Sequence, residues 1–363
     1  MTTRILVIGG YGNFGTFISK RLAKVKAIQL IIAGRSIAKA KALATELNAE
    51  FVALDINQDI GGALASINPD VVIHTSGPYQ AQAPVVACAC VEHGCHYIDL
   101  ADGRDFVKNI AALDQAAKEK GVLVISGASS VPGLTSALMD HYSSEFKCIE
   151  TLDYAITTAQ KFNPGLSTIA AIFSYTGKPF QTLINGKTVD VHGLQSLHSH
   201  VFPGAGRRLL GNCDVPDLAL FPDRYPDLKT IRFYAGVDVP LVHITLWGVS
   251  WLVRIGLIRR LERFASPLLI ISHLFNWMGS DVSAFYLEMG GIGLDGEVKS
   301  VTFDLTANAG HGPNIPCVPA ILLAQKLANG EINDAGAFPC MGFITLKEYL
   351  GDFAELDISW TDS

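Results

Sequence analysis

The stretch Ile5-Leu6-Val7-Ile8-Gly9-Gly10-Tyr11-Gly12-Asn13-Phe14-Gly15 decides the fold. Its apolar run is short enough for a strand buried on both faces, and the glycines that follow have the spacing Gly10-x-Gly12-x-x-Gly15. At a strand-to-helix turn each glycine has a separate task. Gly10 permits the tight turn, Gly12 lets backbone come against a pyrophosphate, and Gly15 allows the helix to pack on the strand with its N-terminus facing an anion. A glycine-rich turn alone is a weak signal, so its surroundings matter.

Outward from this turn the first 130 residues alternate apolar runs with helix-period segments, the pattern of parallel strands joined by crossover helices. Strands are expected at Arg4–Ile8, Leu30–Ala33, Glu50–Leu54, Val71–Thr75, His96–Leu100 and Gly121–Ser126. Between them, Ser36 is placed to cap a helix at Ile37–Leu47, Pro84 and Gly94 bracket another at Val85–His93, and Asp105 begins one that ends at Gly121. Six such strands make a doubly wound sheet. Beyond Pro132 the rhythm changes to a helix (Leu134–Tyr142), a strand (Ile149–Thr157) and two hairpins, one at Gln181–Val191 around Asn185-Gly186 and one at Ala284–Asn308 around Asp295-Gly296. Helices follow at Pro319–Leu327 and Thr345–Ala354. The expected architecture is α/β: a Rossmann doubly wound parallel sheet with an inserted α+β substrate domain built on an antiparallel sheet. The domains are residues 1–132, residues 133–310 for substrate and dimerisation, and a C-terminal segment 311–363 returning to the first.

The end of the second strand bears on which dinucleotide would fit. An acid there would accept hydrogen bonds from the ribose 2′-hydroxyl of NAD, but the chain reads Ala33-Gly34-Arg35-Ser36. NADP is therefore favoured, with Arg35 pairing the 2′-phosphate through its planar fork and Ser36 offering a hydroxyl. Asp55, ending the third strand, either lies near the adenine amine or simply begins a turn.

Composition narrows the class. The 363 residues suit about two domains, hydrophobic residues make up 49% and charged residues 17%, and neither figure fits a disordered chain. A net charge of −6 argues against a nucleic-acid partner. Seven cysteines, an odd number scattered from Cys88 to Cys340, and an N-terminus without a signal-peptide pattern point to the cytoplasm.

Several blocks together resemble one family. Gly9-Gly10-Tyr11-Gly12-Asn13-Phe14-Gly15, Ala33-Gly34-Arg35, Ser76-Gly77-Pro78-Tyr79, Cys90 to Leu100 and Gly127-Ala128-Ser129-Ser130-Val131-Pro132-Gly133 look like the saccharopine dehydrogenase-like oxidoreductases, over residues 1 to about 140. Later blocks, Pro316-Cys317-Val318-Pro319-Ala320 and Gly336-Ala337-Phe338-Pro339-Cys340, resemble bacterial members of unassigned substrate, while the middle departs from the lysine-pathway enzymes. The resemblance implies an NADP-binding Rossmann domain and a Ser76-Gly77-Pro78-Tyr79 loop beside the nicotinamide. The loops with Asp99 and Asp102, and with Ser129 and Ser130, emerge at the same sheet edge. The implied activity is hydride transfer to or from a carbonyl, imine or activated alkene of a small or acyl substrate. The alternative is a non-catalytic dinucleotide-binding, sensor or membrane-associated protein.

Proton donors are sought among His311, in Ala309-Gly310-His311-Gly312-Pro313 where the chain is expected to pass a cleft between domains, and Asp102. Arg207-Arg208 either meets a substrate carboxylate or cofactor phosphate or belongs to a solvated loop. Cys88, Cys90, Cys95 and His96 fit no zinc spacing, and His192, His198 and His200 lack a completing ligand, so no metal is expected.

A mean hydropathy of +0.30 traces to residues 240–278. No Asp, Glu, Lys or Arg lies between Asp238 and Arg254, nor from Phe264 to Ser280, yet neither run is long and clean enough to span a bilayer. A helical projection puts Arg259, Arg260 and Arg263 on one side and Trp247, Trp251, Ile258 and Leu261 on the other, with Arg254 among the apolar residues. There Arg254 has to snorkel, pair with a carboxylate or bind an anionic ligand. An amphipathic hairpin of two helices is expected, covering the substrate cleft, the partner in a homodimer, or a membrane surface touched peripherally.

Overall fold

The structure, a computed structural model, describes residues 2–161 and 165–363. These form two compact units: Met1–Ala137 with Asn314–Tyr349, and Leu138–Pro313 with Leu350–Ser363.

The first unit is a doubly wound sheet. In chain order it contains β1 (Thr3–Ile8), α1 (Asn13–Leu22), β2 (Ile28–Gly34), α2 (Ile37–Leu47), β3 (Glu50–Ala53), α3 (Ile60–Ile67), β4 (Val71–His74), α4 (Val85–His93), β5 (His96–Asp99), α5 (Arg104–Asn109), α6 (Asp114–Lys120) and β6 (Leu123–Ser126). The helix α7 (Thr135–Tyr142) leaves it, and the chain comes back with α12 (Val318–Ala328), β15 (Gly336–Pro339) and α13 (Leu346–Asp352). The strand order is β15-β6-β5-β4-β1-β2-β3, all parallel. Parallel pairing explains why Ile5 to Ile8 and Val71 to Ile73 read as unbroken apolar runs, since helices cover both faces. The seventh strand, β15, escapes the sequence pattern because only four residues make it; its partner Leu123–Ser126 lies over 200 positions earlier. Helix signals work as expected where they are local. Ser36 accepts the Lys39 N–H at the start of α2, and Gly94 ends α4 in the left-handed region.

The second unit holds β7 (Phe146–Thr158), α8 (Leu166–Tyr175), β8 (Pro179–Ile184), β9 (Lys187–His192), β10 (His198–Phe202), β11 (Gly206–Asn212), α9 (Asp217–Arg224), β12 (Thr230–Val237), α10 (Pro240–Arg254), α11 (Ala265–His273), β13 (Ser283–Gly293), β14 (Val298–Ala307) and β16 (Ile358–Asp362). Its large sheet runs β10-β11-β12-β7-β13-β14-β16. It is mixed rather than purely antiparallel, because β12 pairs with β7 in parallel while its other pairs are antiparallel. The chain leaves β7 through α8 and two hairpins before returning, long enough for the crossover a parallel pair needs. Both predicted hairpins form. At the β8–β9 turn Asn185 and Gly186 each have positive φ, 51° and 74°, as a type I′ turn demands.

Two expectations are corrected. The segment 311–363 is divided between the units: β16 pairs with β14 in the second, so the return to the first stops at Tyr349. Residues 255–260 are not helical, and Gly256 has φ +80°. A single projection across residues 247–263 therefore holds only as far as the break: Arg254, exposed at the end of α10, does lie by Trp251, its guanidinium 5.0 Å over that ring and donating to Gln195 Oε1 at 2.5 Å, whereas Ile258 and Leu261 lie beyond the break and outside that helix.

Candidate functional site

The turn after β1 is shaped by close backbone approach. Gly9 and Gly10 both donate to the Ala33 carbonyl, at 2.9 and 3.1 Å, and Gly12 donates to the Gly9 carbonyl at 2.8 Å. A Cβ on Gly15 would stand 2.1 Å from the Gly9 oxygen, well inside any real contact, so only glycine fits there. Gly12 caps α1 without a side chain, and the first turn of the helix carries no acid. The residues present therefore suit a dinucleotide pyrophosphate: first-turn N–H groups and the helix dipole face outward with no carboxylate of their own to neutralise them.

Tyr11 and the end of β2 meet in a way the motif does not announce. The Tyr11 ring lies so close over Gly34 that a Cβ there would be 2.5 Å from it, and its hydroxyl accepts the Ser36 N–H at 2.7 Å. Tyr11 thus ties the glycine turn to the β2–α2 turn and leaves Arg35 exposed. The Ser36 hydroxyl caps α2 at 3.4 Å. Asp55 accepts both the backbone and side-chain N–H of Asn57 at 3.0 Å; these bonds hold its carboxyl below the usual range, and Arg35 adds to the effect. Beside it, a shallow cavity of about 470 Å³ is lined by Ile56, Asn57, Asp59, Ile60, Gly61 and Val85.

At the carboxyl ends of β4, β5 and β6 the loop Ser76-Gly77-Pro78 is half-buried, with a cis bond before Pro78. Tyr79 is different: it is buried, donates its hydroxyl to the His74 carbonyl at 2.7 Å and packs edge-on against His74. It anchors the loop from beneath. Asp102 is half-buried and accepts from the Gln80 amide at 2.9 Å, and burial pushes its carboxyl above the usual range. Asp99 is fully buried; its Oδ1 accepts from the N–H of Ala101 and Gly127, each at 2.8 Å, and from the Ser126 hydroxyl at 3.0 Å. Burial outweighs those donors and pushes its carboxyl up to about 6. His74 Nδ1 lies 3.0 Å from the Tyr97 hydroxyl, and burial drives the imidazole down to about 4. Ser129 and Ser130 are buried at the head of the loop before α7.

His74 and Tyr97 are absent from the sequence-based candidates. The signal for His74 is visible in retrospect: a titratable residue closes the otherwise apolar run Val71-Val72-Ile73. The remaining candidates lie in the second unit. His311 Nδ1 accepts the Asp357 backbone N–H at 2.8 Å. Arg208 is not solvated as one reading had it; it pairs with Asp238 at 2.8 Å, and Asp238 also accepts from the Ser280 hydroxyl at 2.8 Å. Arg207 reaches Ser199 on the surface. His200 stacks on Tyr286, whose hydroxyl donates to Asp153. Asp102 and His311 thus sit in different units.

Residues 5–125 match the saccharopine dehydrogenase NADP binding domain family, an NAD(P) dinucleotide-binding domain. No curated protein matches the chain. Among solved structures it is similar to saccharopine dehydrogenase (L-Glu forming) from Saccharomyces cerevisiae, 14% identical over 99% of this chain and 100% of that one, with a TM-score of 0.67. It also resembles amine dehydrogenase from Mycobacterium smegmatis, 13% identical over 94% of this chain and 95% of that one, at a TM-score of 0.48. At 14% identity the likeness to the yeast enzyme is one of fold.

Proposed function

We propose that the protein is an NADP-dependent oxidoreductase of saccharopine dehydrogenase-like type, acting on a carbonyl, imine or activated alkene of a small or acyl substrate. The observation that carries this reading is the acid-free glycine turn, with Gly15 packed against the Gly9 carbonyl, next to an exposed Arg35 where an NAD enzyme usually holds an acid. The bound nicotinamide would supply or accept the hydride.

The chain's own residues bind, orient and protonate. First-turn N–H groups of α1 hold the pyrophosphate, and Arg35 with the Ser36 hydroxyl engages the 2′-phosphate. Asp55 and the cavity beside it receive the adenine end, while Ser76, Gly77 and Pro78 flank the nicotinamide from a loop that Tyr79 fixes from below. Asp102 is the better-supported proton donor. Burial favours its protonated form, and Gln80 orients the carboxyl, whereas His311 has one ring nitrogen already committed to Asp357.

Titrating the purified protein with NADPH and NADH tests the reading without a known substrate. NADPH is expected to bind roughly ten- to a hundred-fold more tightly, the worth of one charge-assisted pair, and Arg35→Asp to abolish or reverse the preference. Coincident curves for the wild-type protein would overturn it.

A further inference from the structure

The helices between β12 and β13 turn their apolar side outward. Along α10 and its C-terminal cap the positions Leu241, Ile244, Gly248, Trp251, Leu252 and, at the cap, Ile255 fall within one face, about a third of the helix circumference at 100° per residue. Of these, Leu241, Ile244, Trp251, Leu252 and Ile255 are exposed, while His243, Ser250 and Val253 are buried on the opposite side. In α11 the same inversion occurs: Ile270, Ile271 and Leu274 are exposed, and Ala265 packs inward. The inner faces have their own core, where Val253, Leu261 and Ala265 meet Phe173 of α8. The outward residues are thus not waiting to complete that core. Exposure reaches 70% at Ile255, 73% at Leu257, 69% at Leu274 and 81% at Trp277. Soluble surfaces rarely gather such side chains without a partner.

Charge identifies the partner. Residues 240–280 carry Arg254, Arg259, Arg260 and Arg263 against the single acid Glu262, a balance of +3. The rest of the chain holds 24 basic and 33 acidic residues, a balance of −9. A local basic excess thus falls in the segment that also exposes the large apolar groups, and all four arginines are exposed. Trp251 and Trp277, amphipathic side chains, stand in the same segment, and Arg254 stacks on Trp251. Among the described residues no helix is long and apolar enough to cross a membrane. Exposed aliphatic groups, two tryptophans and an arginine cluster on helices too short to span together describe a surface that lies in the headgroup layer.

We infer that residues 240–278 dock the protein peripherally on an anionic lipid bilayer, the apolar faces of α10 and α11 entering the interface and Arg259, Arg260 and Arg263 meeting lipid phosphates. The inference does not depend on the nucleotide chemistry proposed for the first unit.

Flotation of the full-length protein with vesicles of phosphatidylglycerol and phosphatidylcholine, beside vesicles of phosphatidylcholine alone, tests it. The expected result is recovery with the anionic vesicles at least ten-fold above that with neutral ones, falling as salt is raised. Leu257→Asp combined with Trp277→Asp should abolish flotation; both side chains are so exposed that folding should survive, which an unchanged circular dichroism spectrum and thermal unfolding midpoint would check. Arg259→Glu combined with Arg260→Glu should remove the preference for anionic lipid. Failure of the wild-type protein to float, equal flotation with both vesicle types, or undiminished flotation of the Leu257/Trp277 variant would overturn the inference. If the protein instead sediments as a dimer that this variant splits, with no flotation in either, the face is a contact between two copies.

Discussion

Replacing Gly15 by alanine sets two effects of opposite sign against each other. Gly15 lies inside α1, where a glycine-to-alanine change on helix propensity alone stabilises by up to about 1 kcal/mol. The new methyl carbon, however, would stand 2.1 Å from the Gly9 carbonyl oxygen and 2.8 Å from both Gly9 C and Gly10 Cα. These are backbone atoms that cannot rotate away, and carbon–oxygen contact begins near ~3.4 Å, so the start of α1 must retreat by about 1 Å. It cannot do so freely, because Ile18 and Leu22 on the same helix are fully buried and Ser19 donates to the Gly10 carbonyl at 3.2 Å. Overpacking of this kind costs about 1–3 kcal/mol, which exceeds the propensity gain over most of its range. Net destabilisation of about 1–2 kcal/mol is expected, and displacing the first-turn N–H groups should weaken NADPH binding about ten-fold or more. Urea unfolding of the first unit and fluorescence titration with NADPH measure the two consequences. Gly61→Ala, in α3 of the same unit, is the control: its nearest neighbour would be an ordinary 3.7 Å away, so that variant should be neutral or slightly stabilised. If Gly15→Ala behaves like Gly61→Ala and titrates as wild type, the close-approach argument is wrong.

The remaining predictions concern charge and pH. His74 is buried neutral, with its folded pKa near 4 below the ordinary 6.5; stability should fall by about 3 kcal/mol as pH drops from 6.5 to 4, because only the unfolded chain takes up that proton. Asp99, raised to about 6 from 3.8, acts in the opposite direction: the unfolded chain ionises first, so about 3 kcal/mol is lost as pH rises from 3.8 to 6. Because the two windows overlap with opposite sign, these contributions nearly cancel between pH 4 and 6 in the wild-type protein; unfolding midpoints should then fall with rising pH in a His74→Gln variant, where only Asp99 is left, and rise with pH in Asp99→Asn, where only His74 is left. Unchanged profiles would count against both assignments. Arg208→Met strands the nearly buried Asp238 carboxylate and should cost about 3 kcal/mol in thermal or urea unfolding, less if Ser280 takes over. Once a substrate is in hand, Asp102→Asn should lower turnover about 100-fold with NADPH affinity nearly unchanged; retained turnover would remove Asp102 as the proton donor.

What the sequence determined by itself is what short-range physics can write into neighbouring residues. The Gly10-x-Gly12-x-x-Gly15 spacing, Ser36 before α2, Gly94 after α4 and Asn185-Gly186 between β8 and β9 each encode a backbone conformation or cap within a few residues, and each could be read before any contact was known. Apolar periodicity likewise revealed six parallel strands and the two helices flanking the arginine cluster. The tertiary structure decided whatever depends on partners distant along the chain. β15 becomes a strand only because β6 offers it an edge, and β12 runs parallel to β7 because of the path the chain takes between them. Tyr11 reaches Ser36, and His74 and Tyr97 come together, through strand neighbours that no local pattern specifies. The break at Gly256 follows the same rule, since a helical projection assumes a continuous helix and one residue of positive φ is enough to reset every side chain beyond it. Ile258 and Leu261, beyond the break, were therefore wrongly projected onto the same helix, while the company of Arg254 with Trp251, one turn earlier within the unbroken helix, was legible from the start.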